Sequence, residues 1–169
     1  MAKEIELKFR VDDFSSVRKK LRALGGECLW KGREENWLFD TPDCYIHKNT
    51  LRIKTMGDTS LTLKTNKRIV RGAKVAEEYQ LYVTDARIMR FILEKIGFQL
   101  ALHYKKHREH WRIGTSSVEL DTLEDGRKFV EIESTHNGIN RLAQNLDLDF
   151  SKSTPKSYTK ILTAKPRKH

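Results

Sequence analysis

Only two cysteines occur in the chain, no apolar run approaches the length of a bilayer span, and Met1-Ala-Lys-Glu4 shows no signal-peptide pattern. Cys28 and Cys44 lack metal-ligand spacing and a nucleophile's surroundings, which sets aside zinc-module, disulfide-framework and thiol-enzyme readings. A membrane partner is not expected, and a cytoplasmic location, where both thiols stay reduced, is the default. Hydrophobic residues make up 38% of the chain and mean hydropathy is −0.65, low for a globular domain, yet no long disordered tract is present. Neither a fixed-period repeat nor a linker is found. The 169 residues suit one domain with its own core, expected over residues 1–163, with residues 164–169 as a basic tail.

What the chain has in excess is positive charge, +10 in formal terms, which favours an anionic partner. Nucleic acid is the obvious candidate, but the bases are not gathered into one arm or helix. Lys165-Pro-Arg-Lys-His169 alone resembles a basic appendage. A small polyanion bound among the strands explains the charge as well, and no nucleic-acid partner is expected.

The acids carry the sharper signal. Glu4/Glu6, Glu119/Asp121 and Glu131/Glu133 are spaced i, i+2, with Ile5, Leu7, Val118, Leu120, Val130 and Ile132 at the alternate positions. A β-strand sends successive side chains to opposite faces, so each acid pair shares one face and the apolar residues take the other. Like charges on neighbouring same-face sites repel, and Glu and Asp are poor strand formers, so such pairs call for a counter-charge. Bases repeat the pattern: Lys8 follows Glu4 and Glu6, Arg52 and Lys54 alternate with Leu51 and Ile53, Lys64 ends Leu61-Thr-Leu-Lys64, and Lys106 shares a face with Arg108. With Glu78, seven acids and six bases fall on strand faces with mostly apolar backs. Solvated, salt-bridged outer faces are the ordinary outcome of alternating charged strands. Here the pattern recurs with full charges in place of the usual Thr, Ser and Gln. Fixed acids interleaved with fixed bases suggest a metal–polyphosphate site.

Element by element, a strand is expected at 3–11. A helix follows with Asp12 or Asp13 as cap, Phe14, Val17, Leu21 and Leu24 inward, and Gly25-Gly26 at its end. Further strands are predicted at 27–39, 50–56 and 59–66, with a turn at Thr41-Pro-Asp43 and an irregular excursion to Asn49. Lys67-Arg-Ile-Val-Arg-Gly-Ala-Lys74 reads as a basic, mobile loop. A strand at 75–83, a helix at 84–96, strands at 99–113, 116–122 and 127–135, a helix at 137–148, and a last helix from Pro155 to Leu162 complete the chain. The total is an antiparallel α+β protein. Its helices should cover the apolar faces, leaving the charged faces to look at one another; a sheet curled into a barrel would line its bore with them.

In chain order, Glu4-Ile-Glu-Leu-Lys8, Asp40-Thr-Pro, Leu51-Arg-Ile-Lys54, Leu61-Thr-Leu-Lys64, Glu77-Glu-Tyr79, Lys106-His-Arg108, Val118-Glu-Leu-Asp121, Phe129-Val-Glu-Ile-Glu133 and Lys156-Ser-Tyr158 resemble the CYTH superfamily, or triphosphate tunnel metalloenzymes, over nearly the whole chain. The resemblance implies an eight-stranded antiparallel closed β-barrel, with helices outside, that binds a triphosphate with Mg²⁺ or Mn²⁺. By position it implies Glu4, Glu6, Glu119, Asp121, Glu131 and Glu133 as metal ligands. Lys8, Arg52, Lys54, Lys64, Glu78, Lys106 and Arg108 would meet the substrate, with Arg71 or Lys74 as additions. Glu4, Glu6, Lys8 and Lys64 would form the catalytic set.

The activity expected is hydrolysis of inorganic triphosphate, or of an organic one such as a nucleoside or thiamine triphosphate. Class IV adenylyl cyclase activity and a non-catalytic polyphosphate- or nucleotide-binding module are the alternatives. The His-Phe pair that precedes the signature in class IV cyclases has no counterpart before Glu4, and the Gln-Gly-Tyr of bacterial tripolyphosphatases is absent from the second strand; Gln80 stands where many relatives carry a second acid. His103, His107 and His110 do not share one face and give no tetrahedral zinc set. Trp30, Trp37 and Trp111 are assigned to core or substrate rim, and Tyr158 to a tunnel mouth or to plain packing. A monomer or homodimer is expected.

Overall fold

The computed structural model describes residues 2–42 and 48–164. The predicted excursion before Asn49, most of the basic tail, Cys44 and the end of the predicted Thr41-Pro-Asp43 turn therefore lie outside the described residues. The strands are β1 (Ala2–Val11), β2 (Glu27–Asp40), β3 (Thr50–Met56), β4 (Asp58–Val70), β5 (Ala73–Val83), β6 (Gln99–Ile113), β7 (Ser116–Leu123), β8 (Lys128–Glu133) and a two-residue β9 (Ser153–Thr154). The helices are α1 (Ser15–Ala23), α2 (Ala86–Lys95), α3 (His136–Asn145) and α4 (Tyr158–Leu162). None is long and apolar enough to cross a membrane.

Strand order is β5-β4-β3-β2-β6-β7-β8-β1, and pairing of β1 with β5 closes the sheet into an eight-stranded antiparallel barrel. The seam is shared: Ala2–Glu6 pair with β5, while Lys8 and Phe9 take β9 on that side. The register keeps the charged positions together. Glu6 lies opposite Lys74 and Glu133, Lys8 opposite Glu131, Arg108 opposite Asp121, and Lys64 opposite Glu78. Partners in a ladder share a face, so all of these point into the bore.

The apolar backs of the strands meet the helices. Leu7, Phe9, Val118, Leu120, Val130 and Ile132 pack with Phe14, Val17 and Leu21 from α1 and with Ile139, Leu142 and Ala143 from α3. A second outer cluster sets Leu93 of α2 on Phe39, Leu51 and Ile53. The outer side of α2 leaves Ile88, Phe91, Ile92 and Ile96 exposed. A third apolar cluster is internal: Leu38, Tyr104, Leu123 and Phe129 fill one end of the bore, where Tyr158 and Ile161 of α4 close over them.

Three expectations require correction. Residues 67–74 are no mobile loop: β4 runs to Val70 and β5 begins at Ala73, joined by a tight turn in which Arg71 and Gly72 have φ of 49° and 78°. Two consecutive positive φ values match the right-handed twist of paired strands, which is why a Gly-containing hairpin turn forms there. The last helix starts at Tyr158 and not at Pro155, because the Ser157 side chain accepts from Lys160 N. Leu24, expected inward, is exposed, since α1 ends at Ala23 before Gly25 at φ 76° turns the chain. The strands at 50–56 and 99–113 have the predicted bounds, and the remaining boundaries differ by no more than three residues, the ordinary fraying of element ends.

Phe9 is fully buried, with its ring 5.3 Å from that of Phe150 in an edge-on arrangement. Phe9→Ala should lower unfolding free energy by about 3–5 kcal/mol, the range for an emptied core aromatic site, as read from urea unfolding curves.

Candidate active site

Inside the barrel lies a cavity of about 220 Å³. Six carboxylates line it (Glu4, Glu6, Glu78, Glu119, Glu131, Glu133), and seven bases (Lys8, Arg52, Lys54, Lys64, Lys74, Lys106, Arg108). Every acid and base expected at the site except Asp121 and Arg71 therefore reaches one space. Most of these charges neutralise one another. Lys64 Nζ donates to both oxygens of Glu4 at 2.6 Å and lies 2.9 Å from Glu78 Oε2. Lys8 Nζ donates to Glu6 Oε1 at 2.6 Å and is ion-paired with Glu131, while Lys74 Nζ reaches Glu6 Oε1 at 3.1 Å. Burial pushes the Glu6 carboxyl up, but Lys8, Lys74 and Lys64 overcome it and hold Glu6 well below the carboxylate range.

At the end closed by α4 the pairing is densest. Arg108 forks onto Asp121, Nε to Oδ1 at 2.7 Å and Nη2 to Oδ2 at 2.6 Å, and also donates to Glu131 Oε1 at 3.0 Å. Lys106 Nζ stands 3.1 Å from Asp121 Oδ2 and 3.2 Å from Glu34 Oε1, with its ammonium 4.2 Å from the centre of the Tyr158 ring. The Tyr158 hydroxyl donates to Asp121 Oδ2 at 2.6 Å. The Asp121 oxygens are thus saturated by three side chains, so Asp121 anchors Arg108, Lys106 and α4 from behind the cavity wall.

Two groups of charge are left over, and they have opposite sign. Among the described residues, Arg52 and Lys54 have no carboxylate within ion-pair distance; Arg52 Nη1 finds only Asn36 Oδ1 at 3.5 Å. Burial and the neighbouring Arg52 push the Lys54 ammonium down to about 8, against the pull of Glu34. Conversely, Glu133 has no base partner among the described residues. Crowding by protein atoms, then Glu4, push its carboxyl up to about 7 against Lys64, with Glu131 and Glu6 adding to the rise. Glu133 is itself exposed, so water satisfies part of its charge. Glu4 is raised by burial and by Glu6 despite Lys64. Glu119 accepts His110 Nδ1 at 2.7 Å on one oxygen, while its other oxygen is buried without a hydrogen bond. Spare buried carboxylate oxygens beside unsatisfied cations suit a hard divalent cation carrying an anion. Among the described residues no three His, Cys, Asp or Glu side chains already form a closed ligand set.

Glu34 and Asn36 were not anticipated. Both are fully buried on the inner face of β2, where Glu34 pairs with Lys106 and with Arg108 at 3.3 Å. Arg108 and Lys106 hold its carboxyl far below the usual range despite burial. Lys74 joins the cavity, whereas Arg71 sits exposed in the hairpin turn. Trp111 belongs to the core, and Trp37 stacks on His103 outside the barrel at 5.3 Å. Trp30 packs over Gly32 and Gly57; a Cβ on Gly32 would come within 2.8 Å of its ring.

The CYTH domain family matches residues 2–159. An adenylate cyclase, CyaB, of Aeromonas hydrophila is 28% identical over 132 residues, 76% of this chain and 67% of that protein. Among solved structures, the PH1012 protein of Pyrococcus horikoshii is 25% identical with a TM-score of 0.77, covering 92% of this chain and 96% of that one. HpAC1 of Hippeastrum, described as having a dominant triphosphatase activity, is 19% identical with a TM-score of 0.68 over the full length of both chains, a likeness of fold.

The unpaired state of Glu133 has a measurable consequence. Its folded-state value lies above the unfolded 4.5, so its contribution favours folding fully below about pH 4.5 and is lost as pH rises through about 7. In a chelator, wild-type protein should therefore lose thermal stability between pH 5 and pH 8 more steeply than Glu133→Gln, as followed by calorimetry. Parallel curves for the two proteins would contradict the geometry.

Proposed function

The chain belongs to the CYTH domain family, and from that premise we propose that it is a divalent-metal-dependent hydrolase of inorganic or organic triphosphate, with the triphosphate held in the barrel cavity. The observation that carries this reading is the size and lining of the cavity: about 220 Å³, with six carboxylates and seven Lys and Arg side chains on its wall. Sites for drug-sized organic ligands run from about 300 Å³ upward and are mainly apolar. A compact polyanion with its cation suits this one.

On this reading Arg52 and Lys54, short of counter-charge, receive phosphate oxygens first, Arg52 by planar paired contacts and Lys54 as a point charge. Lys8, Lys64, Lys106 and Arg108 complete the grip, Lys74 joins them, and Glu78 holds Lys64 in place. Glu4, Glu6, Glu119, Glu131 and Glu133 would hold Mg²⁺ or Mn²⁺, which supplies charge neutralisation and orients the phosphates. Asp121 serves better as anchor of Arg108 than as a ligand, because its oxygens are already engaged. Phosphoryl transfer asks chiefly for in-line positioning and neutralisation of developing charge, which fixed bases in a water-poor cavity provide without reorganising. A carboxylate left out of the metal's ligand set would position the attacking water.

Cyclisation is the second reading, and the cyclase name of the Aeromonas relative favours it. The same cavity would hold the triphosphate, the ribose 3′-hydroxyl would attack the α-phosphorus, and pyrophosphate would leave. A module that only binds polyphosphate has no use for spare carboxylates beside the cations, which speaks against it.

Incubation with tripolyphosphate, thiamine triphosphate or ATP plus Mg²⁺ or Mn²⁺ should release orthophosphate; cyclic AMP with pyrophosphate from ATP would instead establish the second reading. Glu6→Gln and Arg52→Ala should each lower turnover by at least about a hundredfold, the scale of a lost transition-state charge contact. Near-normal rates in both variants would sink either enzymatic reading.

A further inference from the structure

A second cavity, of about 270 Å³, lies where the β4–β5 hairpin meets the segment that leads into α4. Its wall carries Lys48, Lys67, Arg68, Lys74, Lys156 and Lys160, and no acid among the described residues. The ladder between β4 and β5 slips between Thr65 and Arg68, with Asn66 at φ 48°, and this bulge accompanies the turn of Lys67 toward β3. There the Lys67 amine donates to the neutral Thr50 Oγ1 at 2.5 Å. Among the described residues, only Lys74 of these six has a carboxylate within ion-pair distance, Glu6 at 3.1 Å. Burial, then Lys74, Lys160 and Lys64, push the Lys67 ammonium down to about 8, with Asp40 pulling the other way.

Like charges lining one concavity repel one another, and an oxyanion seated among them lowers that cost. The second cavity is not isolated: Lys74 and Ser157 line both it and the barrel cavity. We propose that it is a second phosphate-anion site adjoining the barrel cavity across Lys74 and Ser157, and that the two together hold linear polyphosphate longer than three phosphates. The substrate class named here rests on the function proposed above; the anion site does not. An RNA strand offers the same phosphate chemistry, but among the described residues this wall has no aromatic side chain on which a base could stack, so an inorganic chain fits it better.

Titration calorimetry without metal decides the matter, using tripolyphosphate, a linear polyphosphate several times longer, and a single-stranded oligoribonucleotide. For Lys67→Ala/Lys160→Ala, affinity for the long polyphosphate should fall at least about tenfold while tripolyphosphate binding stays within about twofold, which also certifies the variant's fold. Lys67→Arg/Lys160→Arg should restore most of the loss. Unchanged long-chain binding in the alanine variant, or equal losses for both phosphates, overturns the second site. RNA that matches the long polyphosphate in affinity and in loss turns it into a nucleic-acid surface and overturns the proposal as well. Wild-type protein that binds tripolyphosphate but turns over no triphosphate would defeat the hydrolase reading alone, leaving the calorimetric ratio to judge the second site.

Discussion

Charge withdrawn from water must be paired, and this constraint governs the barrel. Six carboxylates and seven bases face a cavity of about 220 Å³. Removing an ion from water costs several kcal/mol even after relaxation, so an arrangement of this kind persists only through dense mutual neutralisation. Most of the set meets that demand through ladder partners (Lys64 with Glu78, Lys8 with Glu131, Arg108 with Asp121) and through the neighbouring pairs Lys64–Glu4 and Lys8–Glu6. The residue of the balance is what matters for function. Among the described residues, Arg52 and Lys54 on β3 have no carboxylate within ion-pair distance and Glu133 has no cation, while the Glu119 oxygen that lacks a hydrogen bond has only Arg108, at 3.7 Å. A metal-bound polyanion supplies both deficits at once.

Closure of the sheet makes the arrangement enforceable. Side chains alternate with a period of two, so a slip of one residue in any strand would carry its whole charged row to the outside and its apolar row into the bore. The outer cores prevent this. Leu7 and Phe9 can bury against α1 and α3 only if Glu6 and Lys8 point inward. The energy that fixes the site thus lies on the opposite face of the same strands.

How much of this was legible in the sequence follows from the same alternation. In β1, β3, β7 and β8 the outward positions are apolar, so the inward charges stood out and their convergence could be anticipated. In β2 the outward positions Lys31, Arg33 and Glu35 are themselves charged or polar, which cancels the period-two contrast and hid Glu34 and Asn36. Lys, Arg and Gly dominate residues 67–74, a loop-like composition that pairing of β4 with β5 overrides. Saturation of Asp121 could not be foreseen, because two of its partners arrive from β6 and the third, Tyr158, from a helix whose start was misplaced.

The two ends of the bore differ, and the difference bears on how substrate would be held. Leu38, Tyr104, Leu123 and Phe129 fill one end under Tyr158 and Ile161, so the charged space has a floor. Burial, Asp121 and Glu131 push the Tyr158 hydroxyl well above its ordinary range, so it stays a donor to Asp121, and its ring faces the ammonium groups of Lys8 and Lys106. One side chain from a five-residue helix therefore braces both lysines at the floor. On the function proposed, that brace fixes how deep a terminal phosphate can travel, and depth decides which phosphorus meets the carboxylates around Glu4 and Glu133. Hydrolysis and cyclisation differ in that choice of phosphorus and in the nucleophile, not in the charges that grip the chain.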